Sequence, residues 1–229
     1  MWGKIKVERS LRNEKYVHIK LDDNSFYGGN QGWWTDSNSV ISRYGCGVIA
    51  MCDLEIYLSG KFNGNQKVIN NCDTFIIYNE YKKYVEKRFY KTYRIYDLPI
   101  IKKLGLLPWK MTRGIRTFLI DKNDEKGNVK WAPSKKCEVI SEYISGMLKN
   151  DIPVVASYDC TIKGKPLNYF IKDAIGNIKE ASQFTSHYFV ITGIDGDFFK
   201  ISTYGETYFV LSKDWYENLS YFTNILYIG

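Results

Sequence analysis

The sequence lacks the features that mark a membrane protein, a secreted protein or a chain of repeats. No stretch approaches the roughly eighteen consecutive apolar residues that a membrane-spanning helix needs, so no membrane span is expected. Residues 1–9 contain no apolar core of a signal peptide, which favours a cytoplasmic location. No internal repeat or flexible linker divides the 229 residues, and they therefore predict a single unit with its own core.

Cysteine and histidine are too few and too scattered to form a disulfide framework or a structural metal site. The 5 cysteines are an odd number without a Cys-x-x-Cys pair, which indicates a reducing compartment. The 2 histidines, His18 and His187, lie far apart in the chain, so they form no local zinc-binding motif. We therefore expect neither a metal ion nor another cofactor. We also expect His18 to make a hydrogen bond on a strand rather than to act as a base.

Acidic residues are outnumbered by basic ones, and the formal net charge is +7. Basic side chains alternate with tyrosines in one segment, at Lys82, Lys83, Lys87, Arg88, Lys91 and Arg94. Such a pattern leaves open an adaptor that binds nucleic acid. A charged helix surface facing solvent explains it more simply, so no nucleic-acid partner is predicted.

The spacing of apolar residues changes near residue 150. Before this point apolar positions recur every three or four residues and predict helices, which we place at 46–59, 73–85, 109–119 and 134–148. After it, short β-type runs predict strands at 152–158, 187–194, 198–202, 207–211 and 222–228. Residues 159–185 show no clear periodicity. The sequence thus predicts an α+β fold, with residues 1–150 as a mainly helical lobe and residues 151–229 as an antiparallel sheet lobe.

One cysteine begins the most apolar of the predicted helices. Cys46 lies between Gly45 and Gly47, and only Asp53 and Glu55 interrupt the apolar residues that follow. A helix N-terminus favours an anion and lowers the pKa of a thiol, so Cys46 is a candidate nucleophile. The two glycines would allow a substrate backbone to approach the sulfur. A cysteine that only packs in the core is the alternative.

His187 begins an apolar strand, and Asp195-Gly196 predicts a two-residue hairpin turn after it. With this turn, Phe189 pairs with Ser202 on the returning strand. Because side chains alternate along a strand, Ser202 would share the face of His187, whereas Thr203 would point away. Ser202 is therefore predicted to be the hydrogen-bond partner of the imidazole.

Together these features resemble the papain-like cysteine peptidases, and among them the bacterial peptidase family that includes the bacteriocin-leader processing domains. The resemblance is carried by Gly45-Cys46-Gly47, by His187 at the head of an apolar strand and by Ser202-Thr203-Tyr204-Gly205. The matching segments are 31–58, 152–158 and 187–211. It implies a helical lobe that carries the cysteine, a sheet lobe that carries the histidine and a substrate cleft between them.

The resemblance also implies an activity and a set of site residues. The Cys46 thiolate would attack the carbonyl of a peptide or protein substrate, and His187 would act as general acid and base. A glutamine upstream of the cysteine helps to form the oxyanion hole in this family, and Gln31 is its candidate here, with Asn38 as the alternate. Gln31 lies farther upstream than the family's glutamine. Ser202 stands where the family has Asn or Asp.

Three other functions stay open. A papain-like fold can carry an amidase or acyltransferase, or it can be a catalytically silent module that binds peptides. The basic segment at 82–94 leaves open the third function, an adaptor that binds nucleic acid. Fast alkylation of Cys46 near neutral pH separates an active site from a silent one, and a steep salt dependence marks a nucleic-acid binder.

Overall fold

The computed structural model describes residues 8–35, 39–62, 75–93, 105–122, 128–161 and 164–229. In these ranges the chain is a mixed α/β structure with antiparallel sheets, which confirms this part of the predicted fold. The described strands are β1 (Arg9–Ser10), β2 (His18–Leu21), β3 (Asn24–Tyr27), β4 (Ile76–Ile77), β5 (Val129–Trp131), β6 (Val154–Asp159), β7 (Leu167–Lys172), β8 (Ile178–Phe184), β9 (Ser186–Asp195), β10 (Phe198–Thr203), β11 (Glu206–Leu211) and β12 (Leu226–Ile228).

The helices lie mostly in the first two thirds of the chain. They are α1 (Val40–Tyr44), α2 (Cys46–Phe62), α3 (Tyr78–Lys91), α4 (Pro108–Asp121), α5 (Cys137–Lys149) and α6 (Ser212–Tyr216), and a 3-10 turn spans Gln31–Trp33. The predicted central helix is α2, although it continues through Gly60 to Phe62. Within the described ranges, no helix is both long enough and apolar enough to cross a membrane.

The largest sheet is organised around β9, its longest strand. Its strands follow the order β1-β9-β10-β11-β7-β8, and β6 pairs with β9 beside β1. All of these pairings are antiparallel. Strands of the first 150 residues join those of the last part, since β1 pairs with β9 and β5 pairs with β12. A smaller sheet has the order β3-β2-β4.

The hairpin of β7 and β8 is the largest element that the sequence did not predict. Six of the seven residues of β8 are exposed, and only Phe184 at its end is buried. A strand that is exposed on both faces has no alternation of apolar and polar residues, which is the pattern that identifies strands. The hairpin is therefore absent from a prediction based on periodicity.

Helix α2 is the core element that the sequence predicts. It is apolar on nearly all sides, and Val48, Met51 and Leu54 are fully buried. It packs against β9, which carries His187. Gly45 separates α2 from α1, with its N–H donating to the Ile41 carbonyl at 2.8 Å. Because the helix is apolar on nearly all sides, it lies in the interior of the protein.

Glu55 of α2 is a fully buried carboxylate with its own set of partners. It forms an ion pair with Arg88, and it accepts hydrogen bonds from the hydroxyls of Tyr84 (2.9 Å) and Tyr93 (2.6 Å). These donors offset part of the desolvation of the charge, and burial still raises the pKa of the Glu55 carboxyl. Glu55 thereby ties α3 to the central helix.

The basic segment of α3 is not a uniform cationic surface. Lys82 donates to the Trp33 carbonyl at 3.1 Å, and Arg88 turns inward to Glu55. The opposite face of the helix is buried through Tyr81, Val85 and Phe89. The basic segment therefore includes two side chains engaged in internal contacts. Arg94, the last member of the predicted cluster, lies outside the described residues.

Candidate functional site

One small recess between α2 and the sheet is lined by all four residues predicted to form the site. Gln31, Cys46, His187 and Ser202 line it, and so does Asp53. The volume that the centre of a water molecule can occupy inside the recess is about 10 Å³. This is near the minimum needed to hold a single water molecule. The residues converge, but in this conformation a peptide has no room to enter.

Cys46 is the first residue of α2, and backbone N–H groups surround its sulfur. The N–H groups of Tyr188, Gly47 and Cys46 itself favour the thiolate. Burial of the sulfur opposes them more strongly, so the pKa of the Cys46 thiol is raised. In this conformation the thiol is therefore neutral near pH 7, even though its N–H donors are in place for an anion.

The two glycines beside Cys46 are required by packing inside the protein. A Cβ at Gly45 would lie 2.2 Å from the Ile41 carbonyl oxygen. A Cβ at Gly47 would lie 2.8 Å from the Leu106 Cβ. The prediction that these glycines leave space for a substrate backbone is therefore wrong for this conformation, because protein atoms fill that space.

His187 is held between two aromatic rings at the start of β9. The rings of Phe184 and Tyr204 each lie 4.7 Å from the imidazole, centroid to centroid, in stacked orientations. The side chain is only 6% exposed, and burial lowers its pKa to about 3. Stacked rings exclude water from both faces, so the imidazole is neutral at pH 7.

The hydrogen-bond partner of His187 is Thr203, and the predicted partner Ser202 is wrong. His187 Nε2 lies 2.7 Å from Thr203 Oγ1. Ser202 instead donates to the Tyr27 carbonyl at 2.8 Å. The neutral hydroxyl of Thr203 orients the ring without adding charge. Because Nε2 is engaged with Thr203, Nδ1 is the ring nitrogen that remains for a reacting thiol.

The reason for the wrong partner is a change of register between β9 and β10. Asp195 pairs with Phe198, so the two-residue turn is Gly196-Asp197. The register then shifts between Lys200 and Ile201, where β9 carries one additional residue, Thr192. A one-residue shift exchanges the two faces of a strand. It places Thr203 on the face of His187 and Ser202 on the other.

Thr203→Val and Ser202→Ala each remove one hydroxyl from adjacent positions, and we expect them to have different effects. Thr203→Val should slow alkylation of Cys46 at pH 7 by up to about tenfold, because the imidazole loses its orienting partner. Ser202→Ala should leave alkylation unchanged and lower the free energy of unfolding by about 1–2 kcal/mol, since the Tyr27 carbonyl loses its donor. Equal effects of both variants on alkylation would contradict the observed register.

Gln31 lies beside the Cys46 segment despite the fifteen positions between them in the sequence. Its Nε2 donates to the Ser42 carbonyl at 3.0 Å, four residues before Cys46. Its Oε1 is buried without a hydrogen-bond partner among the described residues. Nε2 carries a second hydrogen, which is the group an oxyanion would need. The alternate donor, Asn38, lies outside the described residues.

Tyr204, which the sequence offered as a residue that could line the cleft, lines the recess. It has a φ of 53° at the turn between β10 and β11, followed by Gly205 at 79°. Positive φ values at both central positions are typical of a type I′ turn, where Asn or Gly is usual and a tyrosine is strained. The strained turn holds the Tyr204 ring against His187. The Tyr-Gly pair at a hairpin tip is the signal that identifies it.

Histidine, cysteine and carboxylate side chains in the described ranges do not gather in groups of three or more that could hold a metal ion. His18, the second histidine, is bonded to Ser25 across the β2–β3 pair, as predicted. The four cysteines that the structure describes, Cys46, Cys52, Cys137 and Cys160, are free thiols.

No protein-family model matches the chain, and no curated protein or solved structure matches it.

Proposed function

We propose that this chain is a thiol hydrolase of the papain-like type, with two lobes, that cleaves a peptide bond through Cys46 and His187. One observation carries the proposal. The cysteine at the start of the buried helix and the histidine at the start of β9 line the same recess, and the Tyr188 N–H faces the cysteine sulfur. This combination of nucleophile, base and N–H donors is what acyl transfer requires.

The proposed reaction begins with transfer of the Cys46 thiol proton to Nδ1 of His187. The sulfur then attacks the substrate carbonyl carbon, and the carbonyl oxygen becomes an oxyanion. The Cys46 backbone N–H and Gln31 Nε2 are the donors for this oxygen. The imidazolium gives its proton to the leaving amine, and the neutral ring then activates the water that releases the acyl group.

The proposed chemistry requires an open form of the recess that the free protein also reaches, and a small alkylating reagent would reach Cys46 in the same form. Burial holds both reacting groups neutral and leaves room for about one water molecule. Displacing a covering side chain would make space for the scissile bond and solvate the imidazole, which raises its pKa toward the usual range. Tyr204 is the half-buried ring stacked on His187, so it is the nearest group whose movement would do both.

A catalytically silent module that binds peptides is the second candidate. It is favoured by the same burial, because a neutral thiol beside a neutral imidazole is not an activated nucleophile. An amidase or acyltransferase would use the same residues as the peptidase and differ only in the acyl group and its acceptor.

The chain offers a matched control for an alkylation experiment. Cys137 is also the first residue of a helix, α5, and it is half-buried. If the site is active, iodoacetamide should label Cys46 at pH 7 at least about tenfold faster than Cys137, as quantified by peptide mass spectrometry. His187→Ala should remove the difference, since both thiols then have only a helix N-terminus.

The silent module predicts a different labelling pattern. Cys46 would react more slowly than Cys137 because it is better covered, and His187→Ala would not change its rate. That outcome would contradict the proposed hydrolase. Screening a library of fluorogenic peptide amides with any form that labels quickly would then identify the substrate class.

A further inference from the structure

Asp53 is a buried ionisable group in the recess to which the proposed mechanism gives no role. It lies two turns after Cys46 on α2, roughly 10 Å along the helix axis, so it is too distant to take the thiol proton. Its side chain is 2% exposed. Burying a carboxylate in a mainly apolar helix is unfavourable unless hydrogen bonds compensate the lost hydration. The partners of Asp53 therefore indicate its role.

The two oxygens of Asp53 accept from two different parts of the chain. Oδ2 accepts from the Gly29 N–H at 3.0 Å, and Oδ1 accepts from the Tyr81 hydroxyl at 2.6 Å. The backbone of Gly28 and Gly29 packs closely against the side chains of Asp53 and Tyr81. A Cβ at Gly28 would lie 2.7 Å from Asp53 Oδ2, and a Cβ at Gly29 would lie 1.9 Å from the Tyr81 hydroxyl oxygen.

The segment held by Asp53 also contacts the turn that carries the partners of His187. The Gly29 carbonyl accepts from the Gly205 N–H at 3.0 Å, and the Gly205 carbonyl accepts from the Tyr27 N–H at 2.7 Å. Gly205 directly follows Thr203 and Tyr204, which bond and stack against the imidazole. In the other direction, Gln31 follows Gly29 by two residues. One hydrogen-bonded chain thus runs from α2 through Gly29 to both sides of the recess.

We propose that Asp53 is an ionisable positioning residue, whose carboxylate fixes the Gln31 segment and the Thr203-Tyr204 turn against the helix that carries Cys46. This inference rests on the proposed thiol hydrolase, because only there do Gln31 and His187 act together. The carboxylate accepts both bonds at once. A protonated carboxyl turns one oxygen into a donor, and the Gly29 N–H cannot reverse to accept from it. The Tyr81 hydroxyl can reverse and accept, so both contacts can survive protonation. Protonation still replaces two charge-assisted hydrogen bonds by neutral ones of roughly half the strength, and it therefore weakens the hold on Gly29 and Tyr81.

The surroundings assign the ionisation to Asp53 alone. The titratable groups that face it are the hydroxyl of Tyr81 on α3, the hydroxyl of Tyr16 before β2 and the thiol of Cys52 on α2. Burial raises the pKa of each, so all three are neutral near pH 7. Burial raises the pKa of Asp53 to about 7, with the bonds from Tyr81 and Gly29 opposing the shift. The change of charge thus falls near neutral pH.

The test is an NMR titration of the full chain from pH 5 to pH 9. In the wild type, the amide proton of Gly29 should shift with a midpoint of about 7, the pKa of its acceptor. The Gly205 amide and the Gln31 side-chain amide should follow with the same midpoint. The Gly205 amide should also lose protection against hydrogen exchange below this midpoint. The field of a purely structural carboxylate would shift the signals without that loss of protection, so the exchange reports the positioning role.

Variants of α3 provide matched controls. Tyr81→Phe removes one donor to the carboxylate and should raise the shared midpoint by about one pH unit. Tyr84→Phe removes a hydroxyl that bonds Glu55 instead, and it should leave the midpoint unchanged. Asp53→Asn should abolish the titration of all three signals. If Asp53→Asn does not fold, the difference between the two tyrosine variants still decides the question.

Two results would overturn the proposal. Titration of Gly29 without Gly205 and Gln31 would show a local acid that positions nothing. The absence of any shift between pH 5 and pH 9 would show that Asp53 does not ionise in this range. None of these signals depends on the reactivity of Cys46, so failure of the alkylation experiment with an intact titration would overturn only the hydrolase.

Discussion

Cys46→Ala is expected to abolish hydrolysis and to leave the fold intact. Removing the nucleophile of a thiol or serine hydrolase lowers kcat by roughly 10⁴-fold or more, because the remaining groups cannot form the acyl intermediate. Cys46 lies at the first turn of α2, and alanine keeps its backbone and Cβ, so the loss of one sulfur atom should have little effect on packing. The measurement is turnover of any peptide amide that the wild type cleaves, together with thermal unfolding.

Cys137→Ala is the control for this experiment. It removes the other thiol that begins a helix, at a position remote in sequence from the recess, and should leave turnover unchanged. Retained activity in Cys46→Ala would place the nucleophile elsewhere. Loss of the folded state would instead support the alternative that Cys46 is only a core residue.

Glu55→Ala is expected to produce a large loss of stability. Glu55 is 0% exposed and bonds Arg88, Tyr84 and Tyr93. Removing it leaves a guanidinium and two hydroxyls near the core without their acceptor. Breaking a buried ion pair in this way lowers the free energy of unfolding by about 3–5 kcal/mol, as measured by urea denaturation.

The double variant Glu55→Ala/Arg88→Ala should be less destabilised than the sum of its two single variants, because it leaves no unpaired charge. Glu80→Ala removes an exposed acid from α3 and should change stability by no more than about 0.5 kcal/mol. Additive effects of Glu55 and Arg88 would show that their ion pair contributes no coupling energy.

Local sequence patterns determined the positions of the two proposed reacting residues. Helix α2 is apolar on every side except at two carboxylates, and such a segment lies in a core whatever the rest of the fold does. The strand that begins at His187 is likewise a continuous apolar run. Both elements were predicted with ends that agree within a few residues, because burial on all sides leaves a signal in every short window of sequence.

The partner of the histidine was decided by tertiary structure. The sequence predicts Ser202 from a turn at Asp195-Gly196, but the strands pair with a different turn and a one-residue shift opposite Thr192. That threonine accepts from the Tyr27 hydroxyl at 2.9 Å, a contact between residues 165 positions apart in the chain. An irregularity beside such a distant contact has no counterpart in the local pattern, yet it decides which of Ser202 and Thr203 shares the strand face of His187.

The charges of the site were also decided by tertiary structure. A helix N-terminus predicts a lowered thiol pKa, and the three N–H groups around Cys46 act in that direction. Desolvation by residues from several distant segments acts in the opposite direction and is larger. The sequence thus determined the candidate nucleophile, the candidate base and the helix and strand that carry them. Only the folded chain determined the register, the position of Gln31 and the neutral state of the pair, because each depends on contacts between residues far apart in the sequence.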